Sequence, residues 1–133
     1  MKQQAWIRWL FYIGFVYDAV LGLVFLLFGD QVYAWNGVTP ANHIGYVQFP
    51  AALLIVFALL YLAVARDPVA NRNLIPYGAL LKLCYCAVVF GHALSGGIPA
   101  MWMPFAWCDL VFLVLFVVAY RQVGRLPQTA SAA

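Results

Sequence analysis

Four runs of apolar residues, Ile7–Phe28, Ile44–Ala65, Leu74–Leu94 and Ala100–Tyr120, account for most of this chain. Each has the length of about 20 residues that a helix needs to cross a hydrocarbon core of about 30 Å. Lipid offers no partner for backbone N–H and C=O groups, so a helix, which bonds its own backbone, is the expected state of every run. A membrane barrel would show short segments of alternating polarity instead, and these runs do not alternate. Composition closes the soluble alternative. Of 133 residues, 67% are hydrophobic and 8% are charged, and there is no Glu. A soluble domain carries about 25% charged residues on its solvated surface. The expectation is an all-α membrane protein with four transmembrane helices in an up-down bundle. It forms one domain over residues 1–125, and 126–133 read as a disordered tail.

The basic residues give an orientation. Lys2 and Arg8 open the first run, Arg66 and Arg72 flank the second connection, and Arg121 and Arg125 follow the last run. The segments Gly29–His43 and Ser95–Pro99 contain no Lys or Arg. The positive-inside rule then places both termini and the 66–73 loop in the cytoplasm. A multi-pass protein of a bacterial inner membrane is the expected setting. The net charge of +3 is spread along membrane boundaries without a patch, so nucleic acid is not an expected partner. The first run lacks a small-residue cleavage site and reads as a retained span. Trp6, Trp9, Tyr77 and Tyr120 fall at the inner interface and Tyr33, Trp35, Tyr46 and Trp102 at the outer one, as an aromatic belt would.

Local signals refine the ends. The 29–43 segment, with Asn36-Gly37 and Pro40, suits a short interfacial helix or a re-entrant flap. Pro50 lies about one turn inside helix 2, where it removes a backbone donor. Asp67 precedes a proline and stops helix 2. Asn71 or Asn73 is a candidate cap for helix 3. Pro99 or Pro104 marks the start of helix 4. Short connections make helices 2 and 3, and 3 and 4, antiparallel neighbours.

Two acids and one base lie at similar mid-depth in the apolar runs: Asp18, Lys82 and Asp109. At 1.5 Å rise per residue, Asp109 lies roughly 12 Å from the outer end of its helix, Asp18 roughly 15 Å and Lys82 roughly 18 Å. Insertion scales charge about 2.5–3.5 kcal/mol for each such residue at a helix centre. Three unpaired groups would total about 8–10 kcal/mol, enough to unfold a marginally stable domain. They are therefore expected to face inward, with Lys82 bridging the two acids. Snorkelling of Lys82 to the inner interface would span over about 10 Å and is the weaker account. Gly14 and Gly22 bracket Asp18 on one helical stripe and would let another helix approach. Tyr85, one turn above Lys82, is placed to donate to a carboxylate. One base between two acids leaves a formal charge of −1, so the trio is expected to share a proton as a coupled system. A structural clasp that fixes helix register is the simpler reading. A proton relay or cation site is the sharper one.

Other chemistry is thin. His43 and His92 lie towards the outer face and form a possible polar or ligand site, but neither shows metal-ligand spacing, and no metal is expected. Cys84 and Cys86 are two apart in a helix and project to different sides. Cys84, Cys86 and Cys108 read as small packing residues. No nucleophile elbow, phosphate-binding loop or zinc-protease motif is present, so no catalytic residue is assigned and a non-enzymatic role is favoured.

Tyr17-Asp18 in helix 1, Arg72-Asn73-Leu74-Ile75-Pro76-Tyr77-Gly78 leading to Lys82-Leu83 in helix 3, and Phe105-Ala106 with Asp109-Leu110 in helix 4 carry a resemblance. The chain resembles small bacterial four-helix membrane proteins of the DoxX-like type over nearly its whole length. That resemblance implies a membrane subunit, in some cases one linked to quinone-dependent oxidoreductases; the residues themselves assign no cofactor, and quinone or lipid is the candidate bound group. Three functions follow as expectations. The first is a non-catalytic subunit or binding module that packs against a larger membrane complex or itself. The segment Leu53–Leu62, with no polar group, would be its lipid or partner face. The second is a proton-coupled or cation transporter working as a dimer. The third is a small quinone-binding enzyme.

Overall fold

The computed structural model describes residues 2–127, which form four helices and no strand. They are α1 (Lys2–Trp35), α2 (Gly45–Arg66), α3 (Ile75–Ser95) and α4 (Met103–Val123). Short 3₁₀ turns at Arg72–Leu74 and Ala100–Trp102 lead into α3 and α4. All four helices are long and apolar enough to cross a membrane. Their outward faces agree with that. Ile13, Val16, Val20, Leu23 and Leu27 form an exposed apolar ladder on α1, and Val111, Val114 and Val118 form one on α4. The tail expected at 126–133 lies, from residue 128 on, outside the described residues.

The helices run up and down. At one end Trp6 Nε1 donates to Gln122 Oε1 (3.0 Å), and Arg72 Nε donates to the Tyr120 carbonyl (3.0 Å). This end therefore gathers the start of α1, the α2–α3 connection and the end of α4. At the other end Trp102 packs against Phe25 and Tyr33 of α1, with centroids 5.5 and 5.9 Å apart. We call these the termini end and the loop end.

Helix 1 differs from its expected span of 7–28. The backbone leaves helical geometry at Phe28 (φ −130°, ψ 25°), and then the helix resumes to Trp35. Gly29 and Asp30 look like a stop in the sequence. In the structure Gly29 instead lets α2 come close: a Cβ there would meet Val47 Cγ1 at 3.1 Å. The segment 29–35 is thus the short helix that the outer connection suggested. Asn71 and Asn73 do not cap α3. The Asn71 amide donates to the carbonyls of Ala63 and Asp67 (3.0 and 3.1 Å), which ties the connection to the end of α2. The 3₁₀ turn and Pro76 begin α3 without a side-chain cap, because a proline in the first turn removes a donor that has no helical acceptor. Pro104 does the same for α4.

Pairing follows connection length for α3 and α4 but not for α2, whose main partner is α1 rather than α3. Helix α1 packs most closely on α2, and α3 on α4. Small residues explain the first pair. A Cβ at Gly22 would meet the Ala51 carbonyl at 2.8 Å, so α2 comes within backbone contact of α1, as small-residue interfaces allow. Gly14 serves a different purpose. It faces the rings of Phe116 and Tyr61 rather than another backbone. The two hairpins meet through side chains. Ile7, Phe11, Tyr61, Val64, Ile75 and Phe116 form a buried core in the termini half. Phe11 stacks on Phe116 with centroids 4.6 Å apart.

Tyr61 is the main α2 contribution to that core, and it corrects the view of Leu53–Leu62 as a face without a polar group. Leu53, Val56 and Leu59 are exposed, but Tyr61 points inward, is fully buried, and donates to the Gly78 carbonyl at 3.3 Å. A Cβ at Gly78 would lie 2.5 Å from the Tyr61 ring. Gly78→Ala is expected to lower stability by about 1–3 kcal/mol, the usual cost of overpacking. Gly91, with nothing within 4 Å of an added Cβ, is the control, and Gly91→Ala is expected to be neutral or stabilising by up to about 1 kcal/mol. Reversible unfolding of both variants in detergent checks the pair.

Candidate functional site: a buried acid–base–acid trio beneath an apolar cavity

Asp18, Lys82 and Asp109 come from α1, α3 and α4 and meet in the bundle interior. Their exposures are 0%, 1% and 6%. Lys82 Nζ donates to Asp18 Oδ1 at 2.8 Å and to Asp109 Oδ1 at 3.0 Å. Local sequence makes this possible. Asp18 and Gly22 are four residues apart and lie on one side of α1, so α2 covers the stripe without crowding the carboxylate. Lys82 lies four residues beyond Gly78 and four before Cys86, and all three are buried. Asp109 lies between Ala106 and Phe116 on the buried side of α4.

The ammonium is surrounded by rings as well as by acids. Lys82 Nζ sits 5.1 Å from the Phe112 centroid, 5.2 Å from Tyr17 and 5.6 Å from Tyr61. Such distances give cation–π attraction that strengthens when the cation is out of water. The sequence gives no reason to place these three rings here, and Tyr61 lies in the segment Leu53–Leu62 expected to face lipid or a partner. An aromatic at the depth of a buried cation is the signal that would have flagged them.

Above the trio, towards the loop end, lies a cavity of about 280 Å³. Every helix contributes to its lining: Leu21 and Phe25 from α1, Pro50 and Leu54 from α2, Leu81 and Tyr85 from α3, and Phe105 from α4. Tyr33 and Trp102 also border it, so two aromatics expected at the membrane interface are drawn into the bundle. Trp35 stays on the surface, and Tyr46 is exposed while still reaching the cavity. The charged residues that line the cavity are Asp18 and Asp109; Lys82 is not part of the lining. Asp18 Oδ2 is buried and accepts no hydrogen bond from the described residues, and the Tyr17 hydroxyl is likewise unpartnered. A buried polar atom left unpaired costs about 1–3 kcal/mol.

The remaining candidates fall elsewhere. Tyr85 borders the cavity, but its hydroxyl donates to the Trp102 carbonyl (3.1 Å) rather than to a carboxylate. The 3₁₀ turn Ala100–Trp102 puts that carbonyl within its reach. His43 is exposed and accepts from the Gly45 N–H at 3.0 Å, at the start of α2. His92 is exposed near the end of α3, where its carbonyl accepts from Gly96 and Gly97. Neither histidine lines the cavity. Cys86 is buried with its Sγ 3.4 Å from the Ala106 carbonyl, and Cys84 and Cys108 are exposed. Among the described residues no three His, Cys or Asp side chains converge as a metal site.

No family model, characterised protein or solved structure matches the chain.

The trio's energetics are testable without a ligand. Removing one partner of a buried ion pair costs about 3–5 kcal/mol, because the other charge is stranded. Lys82→Met is expected to lose that much. Combining it with Asp18→Asn and Asp109→Asn removes both stranded acids and is expected to recover at least half. Equal losses in the single and triple variants, measured by unfolding in the same detergent, would separate the three residues energetically.

Proposed function

We propose that this protein is a non-catalytic, membrane-embedded binding module for a small amphipathic molecule whose head donates hydrogen bonds. The observation that carries the reading is the cavity floor: an apolar, aromatic space whose charged lining is two acids, one with an unsatisfied oxygen. Ligand sites are mostly apolar with a few placed polar groups and span about 300–1,000 Å³, so this one suits a small ligand at the lower end. The head is expected to be a donor because carboxylates accept. The hydroxyls of a quinol fit such a floor better than the carbonyls of a quinone, which narrows what the DoxX-like resemblance implies. The stacked core of Phe11, Phe116 and Tyr61 fills the half of the bundle below the trio, which favours a ligand seat over a path through the membrane. The exposed apolar faces of α2 and α4 suit lipid, and they also suit lateral packing against another membrane subunit.

The setting proposed is a bacterial inner membrane with the termini end in the cytoplasm, supported by the placement of Lys2, Arg8, Arg66, Arg72, Arg121 and Arg125. A phosphatase that is active only outside the cytoplasm is expected to be silent when fused after Pro127 and active when inserted after Gly97. The reverse pattern would overturn the orientation.

Binding is tested with 4-phenylbutanol, an aromatic body with a neutral donor head, on protein in lipid nanodiscs corrected for empty discs. Saturable binding is expected. Leu81→Trp fills the cavity and is expected to weaken it at least about tenfold, the equivalent of about 1.4 kcal/mol of lost contact. Leu80→Trp, on the exposed side of α3, is expected to leave it unchanged. Non-saturable partitioning that is the same in all three proteins would sink the reading.

A further inference from the structure

The binding reading leaves the charge of the ligand open, and the trio restricts it. We infer that the cavity is built for a lipophilic organic cation, an ammonium head on an apolar or aromatic body. This inference rests on the proposed binding function and goes beyond it.

Three observations converge. The first is the charge count. Lys82 balances one acid, and the site holds two. The formal surplus is one negative charge, buried in the bundle. A proton shared between the acids answers it while the cavity is empty, and an ammonium head can take that proton's place as the one positive charge.

The second is the arrangement of the groups. The base is withdrawn from the cavity and held among three rings, while both acids border the space. A ligand entering from the loop end therefore meets acceptors and negative charge before it meets Lys82. The unpaired Asp18 Oδ2, on a residue with 0% exposure, is the atom that lacks a donor. An anionic head would face two carboxylates, and carboxylates offer an acceptor head nothing to accept. An ammonium N–H satisfies both the charge and the missing hydrogen bond, and charge-assisted bonds of that kind are about twice as strong as neutral ones.

The third is the wall. Phe25, Tyr33, Tyr46, Tyr85, Trp102 and Phe105 bring aromatic faces and edges around the space above the acids. A cation taken out of water loses its hydration, and rings and a counter-charge are what an apolar site can offer in return. The protein already uses this solution for its own cation: Lys82 sits between acids and rings of the same kinds. The cavity repeats, for a guest, the chemistry that the bundle applies to Lys82.

The test compares 4-phenylbutylamine, a monovalent cation at neutral pH, with 4-phenylbutanol, which has the same skeleton and a donor head but no charge. Both are titrated against the full-length protein in neutral-lipid nanodiscs, with empty discs subtracted. The amine is expected to bind at least about tenfold more tightly than the alcohol, since one charge pair at low effective dielectric exceeds that factor. Asp18→Asn removes the surplus charge, and the amine-to-alcohol ratio is expected to fall to about threefold or less, because the one remaining acid is already balanced by Lys82. Saturable binding of both compounds with equal affinity would overturn the cation inference and leave the binding function standing. Saturable binding of neither would overturn both. A ratio that survives Asp18→Asn and also Asp109→Asn would place the selectivity outside the trio and overturn the inference. Should these variants fail to fold, the ratio on the native protein decides alone.

Discussion

Lys82 between Asp18 and Asp109 is the contact on which the bundle's geometry depends. Each residue comes from a different helix, and each is expensive in lipid when alone. Apolar side chains give these helices no strong reason to prefer one register, because lipid tails are as apolar as the helix faces they would cover. A three-way ionic contact does prefer one. Sliding α3 by a single turn would carry Lys82 about 5.4 Å along the axis, away from bonds now 2.8 and 3.0 Å long. Buried ion pairs are poor evidence for net stability, and registry is the better-attested use of them. Glycine and aromatic packing then completes what the trio sets. Gly22 brings α2 onto α1, Gly78 admits the Tyr61 ring, and Phe11 and Phe116 fill the space between the hairpins.

The trio also lies at a boundary between two kinds of interior. Below it the bundle is full, with Ile7, Phe11, Tyr61, Val64, Ile75 and Phe116 in one buried cluster. Above it the side chains of four helices leave a cavity. The kink at Phe28 belongs to the same division. It redirects the end of α1 so that Tyr33 comes against Trp102 at the upper edge of the cavity. The acids thus stand at the boundary, with the packed half on one side and the space they line on the other.

The four spans were legible because length and hydropathy in lipid leave one solution per run. Their ends were less so. Gly29-Asp30 reads as a stop, and whether the helix resumes depends on a contact with Val47 that no local pattern announces. The trio was legible for an energetic reason: a charge at mid-depth needs a partner, and the depth count left few choices. Tyr61 was hidden for the converse reason. A tyrosine in an apolar run carries too small a penalty to demand an explanation, so its inward aim emerges only from the space that Gly78 vacates. Tyr85 shows the same limit, since its partner is a backbone carbonyl on another segment rather than the nearby carboxylates. The cavity had no signature at all, being the volume that remains after every helix has been placed.

A structural clasp alone does not account for the number of acids. One Asp and one Lys suffice to lock two helices. Adding α4 to the lock requires only a polar acceptor, and an Asn at position 109 would supply one without surplus charge. The chain instead carries a second carboxylate, and Asp18 keeps an oxygen that nothing in the described bundle satisfies. In a buried site each of those choices is unfavourable on its own. On the proposed reading, both become favourable when a positively charged group replaces the shared proton in the space that the two acids line. The surplus acid, more than the ion pair itself, is therefore the part of this structure on which the proposed guest depends.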